Sequence, residues 1–273
     1  MEREPSPQRW PIDEEELSGD VRIVPPGRTL LSSSMVGSAN RGRVLQTLFD
    51  LGPTSRAELA RLAGVNRTTI SGIVQPLLDQ QVLVEGDPIR PSEASPEARP
   101  ICGMMLMPDA VHTCLVTLAG TISAEHSVAF PPDNPKIGEI ERAIELCTSR
   151  TLASARREPL GIGVAVGGMV DTDRRAIIAV SLAPVLNGFE LGDMLTRRYG
   201  LPALLDHHPR ALLVGDRWFG KGRGMQNFAA VYTGEVLGCA LYLGGHLYRG
   251  RNGAGGELGH TFVQVDGGLC ACG

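Results

Sequence analysis

The sequence predicts an α/β protein headed by a helix-turn-helix, and three observations carry that expectation. Residues 55–78, S-R-A-E-L-A-R-L-A-G-V-N-R-T-T-I-S-G-I-V-Q-P-L-L, keep helical apolar spacing on both sides of a corner that contains Gly. From about Ile101 onward, short apolar runs alternate with amphipathic stretches, the pattern of strands and crossover helices in a mostly parallel or mixed sheet. The chain has 273 residues, 42% of them hydrophobic, with 34 Gly and 19 Pro. That composition supports a packed core with many tight turns, and the length allows two domains.

Residues 1–35 are rich in Pro, Ser and charge, have no apolar period and carry a local charge of −3, so a disordered tail is expected there. From Val36 the pattern changes. Asn40 and Arg41 precede Val44, Leu45, Leu48 and Phe49, a first amphipathic helix that ends at Gly52-Pro53.

In the next helix Ser55 is placed as N-cap, with Glu58 three residues on to complete a capping box. Leu59, Ala60, Leu62 and Ala63 supply its inner face, and Gly64 closes it. Asn66 is placed to cap the second helix, Arg67 to about Leu78. Ile70, Ile73, Val74 and Leu77 then face inward, while Arg67, Thr68, Ser71, Gly72 and Gln75 face out. The outward face has no carboxylate before Asp79, and residues 36–83 have a local charge of +2 although the whole chain stands at −4. A small, polar, Arg-bearing face on the second helix suits a DNA major groove, whereas a generic solvated face mixes both signs. Val82–Val84 reads as a short strand and residues 101–107 as a returning strand. The turn-rich stretch between them would be a wing, with Arg90 or Arg99 able to lie along DNA; a plain linker fits equally well.

Further strands are expected over 111–118, 121–130, 161–166, 201–205, 228–233 and 240–243, with helices over 137–157 and 191–199. The start of the chain lacks a basic-then-apolar leader, and no apolar run spans a bilayer, so a cytoplasmic protein with no membrane partner is expected. Its six Cys (102, 114, 147, 239, 270, 272) then read as thiols or metal ligands rather than disulfides.

Five blocks carry a resemblance. They are V-G-S-A-N-R-G-R-V-L with the 55–71 segment, G-I-G-V-A-V-G-G-M-V-D (161–171), R-W-F-G-K-G-R-G (217–224), L-Y-R-G-R-N-G-A-G-G-E-L-G-H (247–260) and D-G-G-L-C-A-C-G (266–273). In this order they resemble the repressor branch of the ROK family, which unites repressors, open reading frames and sugar kinases. The resemblance implies an N-terminal winged helix-turn-helix (36–100) and an actin-like, ribonuclease H-like ROK domain. Its first lobe would span 101–205, and 206–273 would start a second lobe that is incomplete at Gly273. A sheet cut there leaves an open edge and exposed apolar surface.

The family's kinases hold ATP on an Asp-Gly-Gly-Thr turn and a Gly-Thr-Gly turn and use an Asp of an Asn-Asp pair as base. At the matching places this chain has Met105, Met107, Pro108 and Asp109, then Gly234-Glu235-Val236, then His207-His208. Phosphate cradles need free backbone amides and no negative charge, so no ATP, no catalytic residue and no kinase activity are expected. The family's sugar ligands imply Asn187, His208, Glu257 and His260 as a ligand-binding set for a sugar or sugar phosphate. The motif also implies a structural zinc on His260, Cys270 and Cys272, incomplete because the fourth Cys would follow Gly273. The resulting reading is a sugar-responsive repressor that binds a palindromic operator as a homodimer or higher oligomer. Arg67 would read guanine, Asn66, Thr68, Thr69 and Ser71 would lie at bases or phosphates, and Arg41, Arg43 and Arg56 would hold phosphates. The rivals are an ATP-dependent sugar kinase with an added head and a ligand-independent DNA-binding dimer.

Overall fold

The computed structural model describes residues 33–86, 88–91, 99–132, 135–181, 183–234 and 236–270. The chain divides into a unit of Met1–Ser38, of which only the start of the first helix is described, and a unit of Ala39–Gly273. Of the tail expected over 1–35, residues 1–32 lie outside the described residues, and 33–35 belong to the first helix. Helix α1 (Ser33–Leu51) starts three residues ahead of the expected boundary.

Helices α2 (Arg56–Ala63) and α3 (Arg67–Asp79) form the expected corner. Ser55 caps α2 by accepting from the Glu58 amide at 3.2 Å, and Gly64 ends it at φ 65°, a left-handed conformation that glycine takes without strain. Only Leu59 and Ala60 of α2 are buried. Leu62 is 44% exposed and Ala63 is exposed too, because the last turn of this eight-residue helix points past the small core beneath it. The Glu58 carboxylate turns forward to Arg61. On α3, Ile70, Val74 and Leu77 are buried as their spacing requires. Pro76 sits inside the helix and removes one ladder N–H beyond its outward-facing first turns.

After α3, β1 (Leu83–Val84) pairs antiparallel with β2 (Arg90–Pro91), and Thr54 bridges to Ile89 beside them. The returning strand is therefore β2, not residues 101–107. Those residues form β3 (Ile101–Leu106), whose Cys102, Met104 and Leu106 are buried and which pairs on both sides inside the main sheet. A run buried that thoroughly belongs at a sheet centre and not in a surface hairpin.

The main sheet has the order β5-β4-β3-β6-β9, with β4 (Ala110–Val116), β5 (Ile122–Ala129), β6 (Ile162–Val166) and β9 (Ala203–His207). β3, β4 and β5 run as an antiparallel meander, and β3-β6 and β6-β9 pair in parallel. Helices α4 (Ile137–Ala153) and α5 (Leu191–Tyr199) bury Ile140, Ile144, Cys147, Leu191 and Leu195 in the sheet's core. Strand β9 starts two residues later than expected. Pro202 cannot donate to the ladder, and its carbonyl accepts from Ile162 instead. The later start carries the strand through His207.

Four elements of the body are additional to those expected. Strands β7 (Met169–Asp171) and β8 (Ala176–Ala179) form a hairpin after Gly167-Gly168. Helix α6 (His208–Phe219) follows β9 without a loop, and β12 (His246–Tyr248) completes an antiparallel sheet with β10 (Phe228–Thr233) and β11 (Leu237–Leu243). Leu213 of α6 packs with Ala240 and Tyr242 of that sheet. Beyond it, Phe262, Val263 and Leu269 are 89%, 93% and 94% exposed. Among the described residues, no helix is long and apolar enough to cross a membrane.

Candidate nucleic-acid interface and ligand cleft

The first turn of α3 is held by Asn66. Its side-chain Oδ1 accepts from the Thr69 amide at 2.8 Å and from the Thr69 hydroxyl at 2.9 Å. Two of the expected contact groups are thereby committed to positioning the helix N-terminus. Arg67 and Thr68 stand exposed beside them, Ser71 is half-buried, and Gly72 and Gln75 are exposed along the same face. Gln75 Nε2 donates to Asp79 at 2.9 Å.

The expected phosphate-binding arginines fare differently. Arg43 is exposed on α1 and Arg41 is half-buried. Arg56 makes a two-pronged pair with Glu85 just past β1, which raises its pKa and lowers that of the carboxyl. Contact with phosphate requires Arg56 to leave that partner. Arg90 is exposed on β2. Arg99 is tied down: its Nε donates to the Glu158 carbonyl at 2.9 Å and NH2 to the Pro159 carbonyl at 3.2 Å, so the wing role considered for it is not available. The rest of the loop, 92–98, lies outside the described residues.

The candidate ligand site centres on the junction where β9 runs into α6. Asp206 is its hub. Oδ1 accepts from Arg210 Nε at 2.6 Å and from the His207 amide at 2.8 Å, and Oδ2 pairs with Arg249 at 2.7 Å. Arg210 is fully buried and also donates to the Gly253 carbonyl at 2.7 Å. His208, the first residue of α6, is 3% exposed, and neither ring nitrogen has a partner among the described residues. Its ring meets Tyr232 edge-on at 4.4 Å and His207 at 5.6 Å. Burial lowers its pKa. Burial and then Arg210, with His208 and His260 adding to the push and Asp206 opposing it, lower the His207 pKa from 6.5 to about 4.

Glu257 and His260 come from the turn after β12. That turn crosses β11 so closely that a Cβ on Gly256 (φ 91°) would stand 2.3 Å from the Cys239 carbonyl oxygen. Only glycine fits there. His260 Nε2 lies 3.7 Å from Glu257. Asn187 is exposed, and its Oδ1 accepts from the Val180 amide at 2.8 Å, so part of its capacity closes its own loop. The structure thus brings His207, His208 and the Glu257–His260 turn into one electrostatic neighbourhood, while Asn187 serves the loop beside Gly168.

His260 Nδ1 lies 3.6 Å from Cys270 Sγ. Nitrogen and sulfur donors at about 2.0–2.1 Å and 2.3 Å from a tetrahedral zinc stand roughly that far apart. These two residues fit the expected ligand set, with the other imidazole nitrogen facing Glu257. Cys272 lies outside the described residues, and among the described residues no group of three His, Cys, Asp or Glu is gathered for a metal.

The two turns that match the family's phosphate cradles use amides internally. The Met107 amide donates to the Ala110 carbonyl at 2.9 Å, Pro108 has no N–H, and Asp109 is exposed. The Gly234 amide donates to the Val236 carbonyl at 3.2 Å. Glu235 lies outside the described residues.

Arg210 and Arg217 are buried structural anchors that the sequence does not announce. Residues 210, 213 and 217 are buried at helical spacing, but two of the three are arginines, so an apolar period is not visible. Arg217, 2% exposed, pairs with Asp50 of α1 at 2.6 Å, and Trp218 stacks on Phe49 with ring centroids 4.5 Å apart.

The ROK family description matches residues 108–273. A putative xylose repressor of Caldicellulosiruptor sp. (strain Rt8B.4) is 26% identical over 257 residues, 88% of this chain and 62% of that protein. The glucokinase of Thermotoga maritima is 32% identical over 112 residues, 41% of this chain and 35% of that protein. The chain spans less than two thirds of the length of the first repressors it matches. Among solved structures, a ROK family transcriptional regulator described as a homolog of the E. coli Mlc protein aligns with a TM-score of 0.74 at 20% identity, over 87% of this chain and 62% of that one. The mixed sheet described above is that of the actin-like ROK domain, and with the family matched over more than half its residues the chain belongs to the ROK family.

Proposed function

We propose that this chain is the DNA-reading and sugar-sensing part of a transcriptional repressor that does not phosphorylate sugars. One observation carries the reading: α3 is capped by Asn66 so that Arg67, Thr68, Ser71 and Gln75 face outward, without a carboxylate before Asp79. With α2 before it and the β1–β2 hairpin after it, α3 is the recognition helix of a winged helix-turn-helix spanning residues 36–100. Arg67 contacts guanine O6 and N7, Thr68 and Ser71 reach bases or phosphates, and Arg41, Arg43 and a released Arg56 hold phosphates. Asn66 and Thr69 set the height of the helix end. A homodimer places two such helices on a palindromic operator.

The body then serves as sensor. Residues 101–205 form its first lobe and 206–273 begin the second. A sugar or sugar phosphate lies against Glu257, His260 and His208, with the Asn187 loop at the edge, and changes operator affinity by favouring one lobe arrangement. The relatives named as repressors support this use of the fold. A structural zinc would sit on His260, Cys270 and Cys272 with one further ligand. Two turns whose amides bond internally, one with a Pro, support the absence of ATP use. A cytoplasmic setting follows from a DNA partner.

The test selects bound duplexes from random DNA with the full chain, then compares Arg67→Ala on the selected and scrambled duplexes. Loss of a bidentate guanine contact is expected to cost about 1–3 kcal/mol on the selected duplex and little on the scrambled one. Equal loss on both removes Arg67 from base reading. Calorimetry against D-xylose, D-glucose and their phosphates separates the sensor from a ligand-blind dimer.

A further inference from the structure

Helix α6 is anchored at both ends by different parts of the protein. It is a single helix of 12 residues, about 18 Å long at 1.5 Å per residue. At its start, Arg210 is fixed to Asp206 and to the Gly253 carbonyl, and Asp206 also holds Arg249. Gly253 and Arg249 belong to the turn that delivers Glu257 and His260. At its end, Arg217 is fixed to Asp50, Trp218 stacks on Phe49 with an interplanar angle of 11°, and Phe219 meets Phe49 edge-on at 6.1 Å. Asp50 and Phe49 are on α1, whose Val44, Leu48 and Phe49 share one core with α2 and α3.

We propose that α6 positions the reading head, with Arg217 and Trp218 as its positioning residues, and carries the state of the 249–260 turn to α1. The proposal rests on the DNA-reading assignment of α3. Three physical points support it. A packed helix shifts as a rigid unit, so a displacement of its first turn is felt at its last. Arg217 is buried with its Nε unpartnered among the described residues and its guanidinium 5.4 Å from the Tyr242 ring centroid. A buried charge follows its counter-ion, because separation leaves it uncompensated, so α1 and α6 move together at Asp50. An open cleft of about 340 Å³ lined by Thr47, Leu62, Arg217 and Gln226 borders this joint and gives α1 and α2 room to swing.

Coupling between two sites is reciprocal, so the proposal can be tested without knowing the effector: bound DNA must be felt at the turn. The experiment measures amide hydrogen exchange of residues 249–256 in the full chain, free and saturated with a duplex selected from random DNA. It uses the wild type and the double variant Asp50→Ala/Arg217→Met, which removes the pair without leaving one charge buried alone. DNA is expected to change exchange in the turn by about threefold or more in the wild type and by a much smaller factor in the double variant. An equal response in both overturns the proposal, as does bound DNA with no response in the wild type. Failure of the wild type to bind any duplex overturns the DNA-reading assignment as well, a distinguishable result. If the double variant does not fold, Phe49→Leu breaks the stack and keeps the ion pair. A weakened turn response is expected there too, and a full one counts against the proposal.

Discussion

Acidification is expected to destabilise this fold through His207. Its folded pKa is about 4 against an ordinary 6.5, lowered by burial and then by Arg210, with Asp206 alone pulling the other way. The folded state therefore prefers the neutral ring while the unfolded chain takes up a proton near 6.5. Stability from this source is complete above the unfolded value, declines as pH falls from about 6.5 to about 4 and is gone below both. At about 1.4 kcal/mol per unit, the whole effect is about 3 kcal/mol, of which about 2 kcal/mol is lost by pH 5. His208, whose pKa burial also lowers, acts with the same sign. Urea unfolding of the wild type and His207→Gln at pH 7.5, 6.0 and 5.0 checks this. The wild type should lose about 2 kcal/mol more than the variant between the first and last of these pH values. Parallel curves would refute the reasoning, because the shared carboxylates and His208 titrate in both proteins.

Two further outcomes are expected. Glu85→Gln frees Arg56 from its counter-ion, so DNA affinity should rise severalfold at low salt and log K should fall more steeply with log salt by roughly one unit. An unchanged slope in filter-binding or anisotropy titrations means that Arg56 does not reach phosphate. Gly256→Ala forces a Cβ at φ 91° to within 2.3 Å of the Cys239 oxygen, so urea unfolding should show a loss of about 2 kcal/mol or more. A loss below about 0.5 kcal/mol would mean that the turn is not held against β11 in solution.

Legibility in the sequence follows the periodicity. The head was readable because Ser55, Gly64 and Asn66 are end signals and Ile70, Val74 and Leu77 repeat at helical spacing. Strand β10 and helix α5 have the bounds expected from their apolar runs and, for α5, from closing Gly200. Residues 101–107 read as a returning wing strand because a short apolar run fits a surface hairpin or a sheet centre equally well, and only pairing on both sides decides. Strand β12, three residues long with two exposed, carries too little apolar signal to find. Helix α6 was hidden by its own function as an anchor. Arginines occupy core positions, and His208-Pro209 at its start resembles a loop more than a helix, although Pro in a first turn is favourable.

The candidate ligand site is legible as residues but not as chemistry. The family resemblance places a base at the position of His208, and an imidazole there suggests that a proton acceptor has survived in another form. The structure argues otherwise. A useful general base has a pKa near the working pH. His207 is held near 4 and His208 is pushed down by burial at the start of α6. Both rings are neutral at neutral pH, with little tendency to take a sugar hydroxyl's proton, yet each still offers one donor and one acceptor nitrogen, the pairing that hydroxyls use. The proposed absence of phosphate binding has separate support: the Met107 and Gly234 amides bond within their own turns, and Pro108 has no amide to give. Neither feature causes the other. These two independent features, with the Glu257–His260 turn kept in place by Gly256, support the proposed reading of a site used for recognition over one poised for transfer.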